Sequence, residues 1–169
     1  MVVVAIVGIL AVLGVAALYS YVFSAKTSEA LSVMQSIRMA EERYRAENQR
    51  YLNVSRDLAT YYPANTPDRM KRAFFLTGPG DEPVSDLDGR WRLLDPPVTG
   101  PVQFGYSVVA GSVGQNMPVP NTRSKPTWPA ATEPWYVIEA KGDVDGDGIA
   151  TMVVASSLNG EVYIENEGS

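Results

Sequence analysis

The sequence contains neither cysteine nor histidine. No disulfide can staple the chain, and the usual general base, thiol nucleophile and imidazole metal ligand are all missing. No charged side chain precedes Lys26, no proline precedes Pro63, and no second long apolar run follows the first. Fourteen Lys plus Arg against nineteen Asp plus Glu leave a net charge of −5. With no long basic block, nucleic acid is not an expected partner. No motif frames a serine or lysine as a nucleophile, and no carboxylate pair stands out for acid–base work. The chain is therefore expected not to be an enzyme and to require no cofactor.

What is present begins with residues 1–25, which carry no charge. At about 1.5 Å per helical residue they are long enough to cross a hydrocarbon core of roughly 30 Å. A cleavable secretory signal would show a basic start and an apolar stretch of about 7–15 residues, and this segment matches neither feature. The run mixes β-branched residues with small ones, a composition that lets helices approach backbone to backbone where lipid offers no hydrophobic gain. Gly8, Ala11, Gly14, Val15 and Leu18 are the expected helix–helix assembly residues.

From Lys26 to about Leu52 the chain stays free of Pro and Gly. Ala30, Leu31, Met34, Ile37, Ala40 and Tyr44 recur at helical spacing, with Glu29, Arg38, Glu41, Glu42, Arg43, Arg45 and Glu47 filling much of the rest. One unbroken helix is expected over residues 1–52, spanning a membrane over 1–25 and amphipathic over 26–52. About 117 of the 169 residues remain beyond it, enough for one small head with its own core.

The run MVVVAIVGILAVLGVAAL, followed by an amphipathic stretch ending in EERYRAENQRYL, resembles the N-terminal helix of type IV pilins and of type II secretion pseudopilins. The resemblance is specific over the first 52 residues. It is looser beyond, where Trp135-Tyr136, the acidic turn and the tail NGEVYIENE are similar to features of pilin heads. In that family a short basic leader ending in Gly and the residues Phe-Thr-Leu-Ile-Glu-Leu come before the place of Met1, so the native start is expected upstream. The Glu of that motif, held important in docking a subunit on its neighbour's methylated N-terminus, has no counterpart here.

The resemblance implies a pilin-like α+β fold, a long N-terminal helix packed on a small antiparallel sheet. It implies a structural subunit that waits as a single-pass protein of the bacterial inner membrane, meets assembly machinery there, and polymerises with its own copies and other pilins. The head would lie outside the cytoplasm, in an extracellular pilus or a periplasmic pseudopilus. The positive-inside rule alone, reading Lys26, Arg38, Arg43 and Arg45, would place the head in the cytoplasm; the family's basic leader reverses that orientation. Length and composition suit a pilin, a minor pilin and a pseudopilin alike. A reading from another class is a membrane-anchored calcium- or ligand-binding module that never polymerises.

Within the head, residues 53–101 are rich in turn formers and read as a loop region wrapped across the helix and the sheet edge, with one short helix near Thr66 to Phe75. Residues 103–110, 135–140, 151–156 and 161–165 are rich in β-branched and aromatic residues and bounded by Gly, Pro, Asn or Asp, as strands are. The turn signal Asn159-Gly160 joins the last two, so residues 102–169 predict an antiparallel sheet. The Pro-rich stretch 111–134 is long for a hairpin connection. Its Trp128 is expected to fold back onto the sheet, the alternative being a subunit contact or adhesive patch.

The motif Asp143-Val-Asp145-Gly-Asp147-Gly148 alternates carboxylates and ends on glycine, as a calcium loop opens. Position twelve, where a bidentate Glu belongs, is Val154. Asp143, Asp145 and Asp147 are therefore candidate calcium ligands, set against a tight turn whose carboxylates satisfy their own backbone.

Overall fold

With no proline or glycine between Gly14 and Tyr62, nothing interrupts a single helix, α1, over Val2–Asn48. At 1.5 Å per residue it is about 70 Å long. The computed structural model describes residues 2–65, 67–74 and 89–167, the side chains of residues 5, 9, 12–20 and 23 excepted. The helix stops at Asn48 rather than at the expected Leu52, because Gln49 turns left-handed with φ 58°, a common way for helices to end. The Glu41 carboxylate then accepts the backbone N–H of Leu52 at 2.9 Å.

The remaining elements are β1 (Arg72–Ala73), α2 (Arg90–Leu94), β2 (Pro101–Val102), β3 (Gly105–Gly111), β4 (Trp135–Gly142), β5 (Thr151–Ser156) and β6 (Val162–Glu165). β3 to β6 form one antiparallel sheet in chain order, and β1 pairs with β2. The architecture is α+β: the helix from Ser24 to 48 packs on the four-stranded sheet. The four strands lie where the runs rich in β-branched and aromatic residues predict them. The short helix expected near Thr66 to Phe75 is not there: residues 67–74 hold turns and β1. The helical turn falls instead at α2, where Trp91 and Leu94, one turn apart, are both buried and Asp95-Pro96-Pro97 ends it.

Alternation sorts the strands into two faces. Toward the helix, Tyr106, Val108, Tyr136, Ile138, Ala140, Val153 and Ala155 join Ala30, Val33, Met34, Ile37 and Ala40 in the main core. The opposite face carries a second cluster of Leu58, Trp135, Val137 and Val154, with Trp128, Met117 and Tyr163 packed against it. Trp128 and Met117 come from residues 112–134, the irregular β3–β4 connection, which lies as a strap over that face. A sheet covered on both sides buries all six residues of β5.

The two edges of the sheet differ. β3 is sealed by the segment after α1: Ser55 and Tyr62 donate backbone N–H groups to Val108 and Tyr106, and Tyr106 returns one to Tyr62. Ser55 Oγ and Asn53 Oδ1 accept the N–H groups of Val108 and Ala110. β6 forms the other edge.

Candidate functional site

The first candidate is the outer half of α1. Val2, Val3, Val4, Ile6, Val7 and Leu10 are all more than half exposed. They are large apolar side chains on a helix that carries no charge before Lys26, so in water their exposure is unfavourable at about 25 cal/mol per Å². Gly8 and Ala11 lie exposed on the same stretch, and a Cβ added at Gly8 would meet nothing within 4 Å. The helix backbone passes through Gly14, Val15 and Leu18, whose side chains lie outside the described residues. Among the described residues no helix is long and apolar enough to cross a membrane; residues 12–20 of the apolar run are not among the side chains described.

The inner half of α1 is tied to the head at successive levels. Lys26 Nζ donates to the Val144 carbonyl at 2.6 Å. Glu29 pairs with Lys71 and accepts the Gln103 N–H. Arg43 donates to the carbonyls of Leu94 and Asp95, which close α2. Arg45 pairs with Glu133 of the strap and donates to the Tyr51 hydroxyl, which in turn donates to Glu42. Such charge-assisted contacts add to the buried apolar stripe in holding the inner half of the helix on the head.

Glu41 lies within this joint and is fully buried. One carboxylate oxygen accepts the Leu52 N–H while the other has no partner among the described residues. Burial drives its pKa up to about 8, helped by the neighbouring charge of Glu42 and opposed by the Leu52 hydrogen bond.

The second candidate is the acidic turn between β4 and β5. One ligand oxygen from each of Asp143, Asp145 and Asp147 lies within 4.8 Å of the others. Gly146 and Gly148 have φ of 82° and 86°, the left-handed conformation that glycine adopts without penalty. The same carboxylates hold the turn closed: Asp143 accepts N–H groups from Gly146 and Gly148, Asp145 from Asp147, and Asp147 from Ile149. The Asp147 backbone N–H is the main cause of a lowered Asp145 pKa. Position twelve, Val154, is buried in β5 with no oxygen to offer. The turn is thus both self-bonded and an oxygen-rich site open to a hard cation.

A third feature escaped the sequence reading. Glu139, buried in β4, faces the strap side of the sheet. It accepts the Tyr61 hydroxyl, the Asn121 backbone N–H at 2.9 Å and the Asn121 side-chain amide at 2.9 Å. Burial and the Glu139 charge both push the Tyr61 pKa upward. These three residues pin the strap to the sheet. The available signal was a lone carboxylate inside the apolar strand WYVIEA.

Comparison with protein-family models, with curated proteins and with solved structures finds no match to this chain.

Proposed function

We propose that the chain is the structural subunit of a type IV pilus-like filament, held first in the bacterial inner membrane by its apolar helix and then assembled through that helix. One observation carries this reading: a single helix whose inner half is tied to an α+β head while, among the described residues, Val2, Val3, Val4, Ile6, Val7 and Leu10 of its outer half are all more than half exposed. A helix of this kind exchanges lipid for neighbouring copies at little cost, since close packing at Gly8, Ala11 and Gly14 replaces the hydrophobic drive. The sequence resemblance supplies the family, and minor pilins and type II secretion pseudopilins share the same design. The head then forms the filament surface.

The test is to express the full-length precursor with its secretion machinery, shear the cells, and probe the fibres by immunogold electron microscopy. Fibres labelled along their length are expected. A chain found only as monomer in the envelope would overturn the proposal.

The convergence of Asp143, Asp145 and Asp147 favours a calcium-binding role for the head, compatible with a filament and also with an anchored, non-polymerising module.

A further inference from the structure

Among the described residues the sheet has one sealed edge and one open edge. β3 spends its outward backbone groups on Asn53, Ser55 and Tyr62. Among the described residues none donates to or accepts from the side of β6 that faces away from β5. Val162-Tyr163-Ile164-Glu165 contains no proline and no lysine; its protections are its shortness and the charge of Glu165, which Arg123 pairs. Beside this edge lies a cleft of about 520 Å³. Its floor is Val154, its walls are Trp128 and Pro126 of the strap and Tyr163 of β6, and Glu161 stands at its rim. The contents of this cleft therefore lie on the same face as Tyr163.

We infer that β6 and this cleft form a docking edge for an extended peptide segment of another protein, apolar at its centre and basic at its ends. An added strand would pair its backbone with Val162–Glu165. Every second side chain would then point to the strap face, where one apolar group enters between Trp128 and Tyr163. Charge selects the occupant. Glu161 and Glu167 are exposed around the strand, and Glu165 within it is bonded to Arg123; Lys125, which also lines the cleft, donates to the Pro120 carbonyl. Two copies of this chain paired antiparallel about Tyr163 would set Glu161 opposite Glu165, a repulsive cross-strand pair, so a second copy is disfavoured and lysine or arginine at the peptide ends is favoured. The inference is independent of the filament reading.

The test uses the full chain in non-ionic micelles and the synthetic peptide Thr-Lys-Thr-Val-Thr-Lys-Thr, whose lysines fall on the face of its central Val and opposite Glu161 and Glu165, compared with its counterpart carrying Glu in place of both Lys. Expected results are slowed amide exchange at Val162–Glu165 and weaker binding of the Glu counterpart. A peptide N-methylated at alternate backbone nitrogens should bind at least about tenfold more weakly. Trp128→Ala should lose affinity for the Val-centred peptide. Because Trp128 also packs against the sheet, Glu161→Lys at an exposed position serves as the second variant, and it should invert the preference between the Lys and Glu peptides. Equal binding of the N-methylated peptide, protection mapping elsewhere, absence of binding, or self-association through β6 in sedimentation would each overturn the inference.

Discussion

Lys26, the first charged residue of the chain, donates to the backbone carbonyl of Val144 at 2.6 Å, in the middle of the acidic turn. The turn therefore sits at the base of the head, level with the point where the uncharged segment of α1 ends. The turn's geometry depends on the helix as well as on its own hydrogen bonds. In the proposed filament this places the turn at the side of the head nearest the membrane or filament core.

Calcium is expected to bind this turn weakly, because the twelfth-position ligand is replaced by Val154 and affinity depends on ligand charge and number. The melting temperature should rise in about 10 mM calcium but not in the same concentration of magnesium, whose stricter octahedral geometry this loop does not offer. Asp145→Asn should abolish the rise. No shift in differential scanning fluorimetry would end the metal reading.

Gly8→Leu places a large side chain where the single chain has nothing within 4 Å. Head stability should therefore be unchanged within about 0.5 kcal/mol, while filament yield should fall sharply because the close helix approach is lost. Gly14→Leu is expected to behave alike. Wild-type amounts of sheared fibre from either variant would count against the small-residue contact.

Glu41 has a folded pKa of about 8 against 4.5 for the free group. A raised pKa means that the folded state holds the proton more tightly. The stabilisation is complete below about pH 4.5 and is lost as pH rises through 8. Chemical denaturation from pH 5 to 9 should show stability falling over this window. Glu41→Gln, which keeps an oxygen for Leu52, should flatten the slope and gain about 1–2 kcal/mol at the alkaline end. An unchanged slope would show that the joint is hydrated.

Glu139→Ala removes the acceptor for Tyr61 and for both Asn121 groups. Stranding the buried Tyr61 hydroxyl costs about 1–3 kcal/mol, while the donors of the exposed Asn121 can turn to water, so a loss of about 2 kcal/mol is expected. Limited proteolysis should then cut within residues 111–134 before the sheet unfolds. Glu139→Gln should fall between the variant and wild type. Cleavage at the wild-type rate would mean that Trp128 and the Arg45–Glu133 pair hold the strap without it.

Much of the fold was legible residue by residue. Val153-Val154-Ala155 and Val162-Tyr163-Ile164 announce strands through their β-branched and aromatic residues, and Asn159-Gly160 marks the hairpin between them. Ala30, Met34, Ile37 and Ala40 mark the buried stripe of α1. The short helix lies at Arg90–Leu94 rather than near Thr66 to Phe75, because burial of Trp91 and Leu94 selects it and a sequence crowded with turn formers from 53 to 101 does not mark that burial. The candidate calcium ligands were legible as a motif. Their self-satisfied hydrogen bonds are the kind that Asp in a turn makes by default.

By itself the sequence determined the elements and the uncharged helix, since both rest on periodicity within a few turns or on runs of one residue class. Only the tertiary structure decided that Glu41 and Glu139 are buried, that Tyr61 and Asn121 meet on one carboxylate, and that among the described residues β3 is sealed while β6 is open. Those outcomes join residues as far apart as Tyr61 and Glu139, 78 positions in the chain. Their physical cause is solvent exclusion by segments packed over the sheet from elsewhere in the sequence, which no local pattern of residue types encodes.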